Sequence, residues 1–228
     1  MSLNITKMDT AIAAFARGEF LIVSDNEDRE NEGDLIVAAE HATPEAVNFM
    51  ITAGKGLVCV AITPEIAGRY SLYPMANRND DPMQTAFTVS VDAAPEFGVT
   101  TGISTFDRAK TIELLISDEP IANGLCSPGH MFPLVAKEGG VLERPGHTEA
   151  AVELAMLAGL KPAGVIVEII NADGTMARRP QLEALARQHS LHYITIEELI
   201  EYVNYKTMRV TQRNSERRAL YATVGEQT

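Results

Sequence analysis

Residues 20–38 read FLIVSDNEDRENEGDLIVA, in which a charged stretch separates two short apolar runs. The runs at residues 20–23 and 35–38 are typical of buried strands because they are short and almost continuously apolar. Six carboxylates and one arginine fall within residues 25–34, so this stretch contributes five of the twelve net negative charges. Its position between two strands predicts a loop at the edge of a sheet, where ligand sites are frequent.

The chain has 228 residues, of which 46% are apolar and 22% are charged, as is typical of a folded domain. With 31 acidic residues against 19 basic ones, it is a poor candidate for binding a nucleic-acid backbone. The sequence opens without a signal-peptide pattern and has no apolar stretch long enough to cross a bilayer. The two cysteines, Cys59 and Cys126, are far apart, which favours free thiols. We therefore expect a soluble, cytoplasmic protein.

Strand-like and helix-like segments alternate along the chain without a linker that would separate two domains. A helix over residues 5–17 is expected to end at Gly18, and Thr43, Thr63 and Ser104 are each placed to cap a following helix. Thr195 begins a capping box. Further strands are predicted at residues 57–62, 86–91, 131–136, 165–170 and 192–194, and further helices at 148–157 and 180–189. This alternation predicts a layered sheet with helices on its faces.

The acidic stretch is a candidate metal site. If its backbone is extended, four carboxylates project from one side of the strand: Asp28, Glu30, Glu32 and Asp34. Arg29 and Asn31 then face the other side. Ligands that are all oxygens favour Mg²⁺ or Mn²⁺ over Zn²⁺, and the spacing does not fit an EF-hand calcium loop. The alternative interpretation is a solvated surface loop, which is the usual fate of a charge run.

A second candidate site opens the helix predicted at residues 148–157, where the sequence reads RPGHTE from Arg144 to Glu149. Free N–H groups at the helix start, together with Arg144, Gly146 and the Thr148 hydroxyl, would suit a phosphate group. The alternative is an ordinary capped helix with a surface arginine. His147, taken alone, is more often a packing or capping residue than a ligand.

Two further residues are candidates for proton transfer. His130 is predicted to lie on a turn entering a strand, an exposed position suited to that chemistry, although many turn histidines have no such role. Glu168 lies within an otherwise apolar strand, so it either faces solvent or is buried beside a metal or substrate. The remaining histidines, His41, His189 and His192, are interpreted as structural.

Several long motifs occur in a fixed order: DNEDRENEGDLI at 25–36, TTGIS at 100–104, PGHMFPL at 128–134, RPGHTEAAVELAMLAGLKPAGVIVEI at 144–169 and NADGTMA at 171–177. Over residues 8–203 the chain thereby resembles the 3,4-dihydroxy-2-butanone 4-phosphate synthase family of riboflavin biosynthesis. The resemblance implies a single α+β domain over residues 1–204, built as a three-layer α/β/α sandwich around a mixed sheet. Residues 205–228 would follow as a basic tail, expected to be mobile.

The resemblance also implies an activity. Members are homodimeric, Mg²⁺-dependent lyases (Mn²⁺ being the alternative ion) that convert D-ribulose 5-phosphate to 3,4-dihydroxy-2-butanone 4-phosphate and formate, with active sites near the dimer interface. Two ions per site are expected, with Glu30 and His147 as metal ligands and with His130 and Glu168 as catalytic residues. The substrate-binding positions implied are Arg29, Glu30, Asp34, Arg144, Pro145, Gly146, His147, Thr148 and Glu168. We expect Glu32 or Asp25 to move protons at the enediol step.

Departures and rival functions are also visible. Ser127 occupies a position where the family often carries a basic residue, which puts in doubt any charge contact made there. Some relatives continue into a GTP cyclohydrolase II domain with a cysteine-based zinc site; with two cysteines in 228 residues, we expect a monofunctional chain. The rival functions are another sugar-phosphate enzyme, such as an isomerase or aldolase, and a non-catalytic module that binds metal.

Overall fold

The two apolar runs that flank the acidic stretch form neighbouring antiparallel strands, β1 (Leu21–Ser24) and β2 (Gly33–Ala38). Every residue of both strands is buried. Their register pairs Ser24 with Gly33, so the acidic stretch is the connection that closes this hairpin. The computed structural model describes residues 4–225, and side chains for residues 4–209 and 212.

One mixed sheet contains seven strands in the order β4-β5-β3-β6-β2-β1-β7. The other strands are β3 (Cys59–Ile62), β4 (Val91–Ala93), β5 (Leu125–Val135), β6 (Ala163–Glu168) and β7 (His192–Thr195). The pairs β1–β7 and β3–β5 are parallel, and the remaining pairs are antiparallel. β6 therefore lies at the centre, between β2 and β3.

Helices cover both faces of the sheet. They are α1 (Ile5–Ala16), α2 (Pro44–Phe49), α3 (Pro64–Arg69), α4 (Thr105–Leu115), α5 (Gly140–Glu143), α6 (His147–Leu157), α7 (Arg179–His189) and α8 (Ile196–Gly225). One apolar core joins the sheet to α2, α3, α4 and α7, and a second joins its opposite face to α1, α5, α6 and α8. The predicted α+β class and three-layer sandwich are confirmed. Within the described residues, no helix combines the length and apolar character needed to cross a membrane.

Local signals placed most helix ends correctly. The side-chain oxygens of Thr43, Thr63 and Ser104 each accept a backbone N–H three residues on, at 3.0–3.3 Å. Thr195 and Glu198 form the predicted capping box, with both reciprocal hydrogen bonds present at 3.0 and 3.1 Å. Gly18 follows α1 with a φ of +86°, a conformation that glycine adopts without strain. Because these signals depend on neighbours in sequence, sequence alone was enough to find them.

The strand predicted at residues 86–91 is wrong. Phe87 and Thr88 make only isolated bridges, and the strand β4 begins at Val91. The Thr88 N–H donates to the Pro133 carbonyl in β5, but Pro133 has no N–H to donate in return. A regular ladder therefore does not form along this segment.

β5 begins at Leu125, six residues before the predicted start, so His130 lies inside a strand and not on a turn entering one. In the β4–β5 pair, Val91 lies opposite Met131 but its neighbour Asp92 lies opposite Cys126. Residues 127–130 of β5 therefore have no cross-strand pairing partner on β4 and form a bulge. The turn-like composition of Ser-Pro-Gly-His reflects this bulge.

α8 extends from Ile196 to Gly225 and includes most of the segment predicted as a basic tail. The backbone of residues 205–225 is thus helical. The domain boundary at residue 204 and the mobility of the tail stay predictions.

The contact of α6 with β6 sets the position of the first residue of α6, His147. A Cβ added at Gly164 of β6 would lie 2.9 Å from the Ala151 Cβ on α6. We expect Gly164→Ala to lower the free energy of unfolding by about 1–3 kcal/mol, because backbone or helix must shift. In the matched control Gly68→Ala the new methyl group meets no atom within 4 Å and lies inside a helix, so stability should rise by roughly 0.5–1 kcal/mol. Urea unfolding followed by circular dichroism measures both; equal stability of the two variants would contradict this packing.

Candidate active site

The acidic stretch folds around the carboxylate of Asp25, whose side chain is fully buried. Its two oxygens accept the backbone N–H groups of Glu30 at 3.0 Å and Glu32 at 2.8 Å. Asn31 adopts a φ of +55° between them. Residues 28–32 therefore do not have the extended backbone on which the considered alternation of side chains depends, because hydrogen bonds to Asp25 impose a turn. As a result Arg29 and Glu30 lie on the same side of the loop.

Arg29 lies between two of the carboxylates. Its Nη1 donates to Asp25 Oδ2 at 2.9 Å and to Glu30 Oε2 at 2.5 Å. A second arginine, Arg178, donates to the Glu30 carbonyl at 2.9 Å and thereby fixes the loop to the start of α7. Positive charge thus offsets part of the repulsion within the acidic loop.

His147 approaches this loop from the start of α6. Its Nδ1 lies 3.7 Å from Glu30 Oε2, and its Nε2 is buried without a hydrogen-bond partner in the described residues. Ligand atoms of Asp25, Glu30 and His147 all lie within 4.8 Å of one another. A buried imidazole nitrogen without a partner is costly, and two carboxylates with one imidazole form a donor set that accepts a divalent cation. The residues present therefore fit a metal ion.

The charges here are strongly coupled. His147 and Arg29 lower the pKa of Glu30 to about 2. Burial alone would lower the pKa of His147, but the carboxylates of Asp34 and Glu30 raise it to about 9. Burial raises the pKa of Asp34 to about 7, against the attraction of His147. The cluster therefore contains groups that exchange protons near neutral pH.

Glu168 ends β6 beside these groups. It is the cross-strand partner of Asp34 in the β2–β6 pair, and its Oε2 accepts the N–H of Leu57 at 2.8 Å. A cleft of about 120 Å³ opens at this point. It is lined by Arg29, Glu30, Glu32, Asp34, Cys59, Thr85, Phe87, Leu134, Arg144, His147, Thr148, Ile166 and Glu168. Most of the predicted site residues are thus brought together at one edge of the sheet.

Arg144 lines the cleft but is already paired. Its Nη1 donates to Glu149 Oε2 at 2.5 Å, Nε to the Met83 carbonyl at 3.1 Å and Nη2 to Thr85 Oγ1 at 3.2 Å. A Cβ added at Gly146 would lie 2.3 Å from Arg144 Nη1, so glycine is what lets the guanidinium fold back over the turn. Arg144, predicted to help hold a phosphate at the helix start, thus forms a wall of the cleft in an orientation fixed by these contacts.

His130 does not line the cleft. Its side chain is 44% exposed and pairs with Asp92. The strand register nevertheless places His130 at the same end of the sheet as Glu168. Phe132 and Ile166 both pair with Cys59, and His130 and Glu168 lie two residues beyond them toward that edge.

Sequence reasoning did not identify Asp25 as a candidate metal ligand, nor Cys59 and Thr85 as part of the cleft. Asp25 belongs to the acidic stretch, so its charge was a usable signal. Cys59 and Thr85 carry no local signal, because pairing of β3 with β6 and the fold of residues 85–87 bring them there.

Comparison with known proteins is consistent with this site. A sequence profile described as 3,4-dihydroxy-2-butanone 4-phosphate synthase matches residues 9–202. The chain belongs to this family. The match covers every strand and all of the residues that line the cleft.

Curated relatives include the riboflavin biosynthesis protein RibBA of Aquifex aeolicus, 55% identical over 195 residues, which are 86% of this chain and 48% of that protein. The 3,4-dihydroxy-2-butanone 4-phosphate synthase of Photobacterium phosphoreum is 53% identical over 207 residues, or 90% of this chain and 56% of that protein. The chain spans about half the length of the curated relatives it matches.

Among solved structures, a 3,4-dihydroxy-2-butanone 4-phosphate synthase in complex with two magnesium ions superposes with a TM-score of 0.83 at 43% identity. The superposition covers 87% of this chain and 96% of that one. The two-domain synthase RibBX of A. baumannii has a TM-score of 0.81 at 46% identity, over 86% of this chain and 57% of that one. The fold of the family is therefore shared over most of this chain.

The raised pKa of Asp34 predicts a pH-dependent stability. In the presence of a chelator, the folded state holds the Asp34 proton up to about pH 7, so its contribution to stability falls as pH rises from the unfolded value of 3.8 through 7. Asp34→Asn should therefore stabilise the protein, by at most about 4 kcal/mol at pH 8 and about 2 kcal/mol at pH 5.

Urea unfolding at the two pH values measures this difference. Asp173→Asn is the matched control, because the pKa of this exposed carboxyl is lowered by hydrogen bonds from Thr175 and not raised. A gain for Asp34→Asn that is equal at pH 5 and pH 8 would contradict the assignment.

Proposed function

We propose that this chain is a Mg²⁺-dependent lyase that converts D-ribulose 5-phosphate to 3,4-dihydroxy-2-butanone 4-phosphate and formate, a step of riboflavin biosynthesis. One observation carries the proposal: ligand atoms of Asp25, Glu30 and His147 converge beside a cleft that Glu30, His147, Asp34 and Glu168 line, and the Nε2 of His147 is buried there without a partner. Family membership supports it. So does the synthase whose structure contains two magnesium ions.

Asp25, Glu30 and His147 would hold the metal, and two ions per site are proposed by analogy with that structure. Bound Mg²⁺ supplies a Lewis acid that stabilises negative charge on sugar oxygens. Mn²⁺ has the same preference for oxygen and nitrogen ligands, and is the alternative. Before a metal binds, His147 and Arg29 keep Glu30 ionised over the physiological pH range, and so ready to act as a ligand.

The phosphate of the substrate is expected at the start of α6. The helix N-terminus supplies free N–H groups and the Thr148 side chain faces the cleft. Arg144 adds positive charge from an orientation held by Glu149 and Thr85, and Arg29 adds charge from the acidic loop. Pro145 and Gly146 shape the turn between Arg144 and the helix.

Proton transfer requires a carboxyl group whose oxygens are not all occupied by other hydrogen bonds. Removal of a proton from C1 of ribulose 5-phosphate gives an enediol, and C4 is later lost as formate. Asp25 is poorly suited to the first step, because both of its oxygens accept hydrogen bonds. Glu32 is better suited, since burial raises its pKa and part of its side chain remains exposed. Asp34, Glu168 and His130 would then serve the dehydration and rearrangement.

A homodimer in the cytoplasm is part of this proposal. His130, implied as catalytic by the resemblance, lies outside the cleft of its own chain and is 44% exposed. Ile103, within the TTGIS segment, and Phe106, two residues after it, are exposed apolar side chains on the same part of the molecule. An interface here would cover them and bring a second chain toward the sheet edge that carries the site.

The decisive experiment is a formate assay with ribulose 5-phosphate and Mg²⁺, run with and without a chelator. The lyase releases formate and a four-carbon phosphate, and the chelator stops both. If the product is only another pentose phosphate, the chain is an isomerase. If metal binds but the substrate is unchanged, the chain is a non-catalytic module.

Replacement of Glu168 tests the chemistry. Glu168→Gln keeps an acceptor for the Leu57 N–H but loses the exchangeable proton, so we expect kcat to fall by about 10²- to 10⁴-fold with an unchanged unfolding midpoint. Glu113→Gln, on the exposed surface of α4, is the control. Full activity of Glu168→Gln would remove this residue from the mechanism.

The metal site is tested by titration with Mn²⁺ followed by electron paramagnetic resonance. Glu30→Gln and His147→Asn should each weaken binding at least about tenfold, because each removes a ligand. Asp28→Asn is the matched control, because it lies in the same loop and removes the same charge as Glu30→Gln. Asp28 is exposed and lies outside the Asp25–Glu30–His147 group, so this variant should bind Mn²⁺ as the native chain does. Equal affinity of all three variants would refute the ligand assignment.

A further inference from the structure

Outside the cleft, an aspartate contacts the candidate catalytic residue His130. Asp92, on β4, accepts the backbone N–H of His130 through Oδ1 at 2.8 Å. Its Oδ2 lies 2.7 Å from Nδ1 of the same histidine. Because a carboxylate only accepts hydrogen bonds, the proton between Asp92 and the ring belongs to Nδ1. The Nε2 of His130 has no hydrogen-bond partner in the part of the chain that the structure describes.

The TTGIS segment packs directly against Asp92 and His130. Gly102 has a φ of +87°, and a Cβ added there would lie 1.9 Å from Asp92 Oδ2 and 2.6 Å from His130 Nδ1. Only glycine therefore lets the segment pass this close to the pair. This close approach gives the TTGIS motif a physical role that its sequence alone does not indicate.

The segment is itself held in place by the start of α4. Asp107 accepts the Gly102 N–H at 3.0 Å, the Thr100 N–H at 3.2 Å and the Thr100 hydroxyl at 2.9 Å. Ser104 caps the same helix turn by accepting the Asp107 N–H. A continuous set of contacts thus connects a buried helix start to an exposed imidazole.

We propose that Asp92 is a positioning residue for His130. It holds the ring in the tautomer with hydrogen on Nδ1, so that Nε2 points away from β4 with its lone pair free to accept a proton. The bidentate contact to the His130 backbone and ring also removes rotation about the side-chain bonds of this half-exposed residue. The catalytic consequence depends on the proposed lyase function, but the tautomer does not.

The tautomer is tested directly by long-range ¹H–¹⁵N correlation spectra of the full chain labelled with ¹⁵N-histidine. The His130 signals are assigned by their loss in His130→Gln. Native protein should show the tautomer with hydrogen on Nδ1. In Asp92→Asn the amide oxygen can still accept the backbone N–H, but the NH₂ group donates to Nδ1, so hydrogen should move to Nε2. The same tautomer in both proteins would overturn the proposal.

Kinetics test whether Asp92 acts through His130. Asp92→Asn should lower kcat for formate release by about tenfold or more while changing KM by less than about threefold. The same change in a His130→Gln background should have no further effect on kcat. If Asp92→Asn costs as much with His130 absent, Asp92 has an independent role and the proposal fails. Asp173→Asn, which removes another carboxylate that accepts a backbone N–H, is the control.

A pair of glycine variants tests the support without touching either charged group. Gly102→Ala should shift the His130 ring signals and lower kcat, because its methyl group occupies the space of the Asp92 carboxylate. Gly98→Ala is matched: it has a φ of +81° and open space around the added Cβ, so it carries similar backbone strain without the collision. Equal effects of the two variants would show that strain alone matters, against the proposal. If native protein releases no formate, the lyase function fails and the spectra alone decide the role of Asp92.

Discussion

The hydrogen bonds accepted by the buried carboxylate of Asp25 are the constraint on which the site depends. Without them, residues 25–34 would be a run of like charges between two buried strands, and repulsion would favour an open, solvated loop. By accepting the N–H groups of Glu30 and Glu32, Asp25 converts the run into a closed turn. The turn brings Arg29 beside the carboxylates and directs Glu30 toward His147. The position of the acidic loop between the central strands then brings it close to β6.

The neighbouring strands β2 and β6 place further carboxylates beside this turn, at a buried position where water does not screen their charge. Pairing of β2 with β6 sets Asp34 opposite Glu168, and burial raises the pKa of Asp34 to about 7. Such a cluster is stable only if protons, guanidinium groups or metal ions compensate it. His147 adds a buried imidazole with one unpartnered nitrogen at the same point. The features that make the cluster costly for folding are therefore the ones that suit it to bind a divalent cation and exchange protons.

Much of the fold could be predicted from sequence where the signals are local. Continuous apolar runs identified β1 and β2, and hydroxyl residues before prolines or helical periodicity identified the starts of α2, α3 and α4. Predictions failed where distant partners decide. The segment at 86–91 alternates like a strand, but Pro133 on the neighbouring strand cannot complete a ladder with it. His130 follows proline and glycine as a turn residue would, but pairing of β4 with Cys126 and Met131, on either side of it, incorporates it into β5.

By itself the sequence determined which chemical groups are present and in what local order: an acidic loop between two strands, a glycine before a helix that begins with histidine, and a glutamate that ends an apolar strand. Motif order was also sufficient to identify the family. Only the tertiary structure decided that Asp25 faces inward, that Arg144 is held by Glu149 and that Asp92 orients His130. The physical reason is that these contacts join residues through turns, helix packing and strand register. Such contacts form only once backbone hydrogen bonds and two apolar cores have fixed the elements relative to one another.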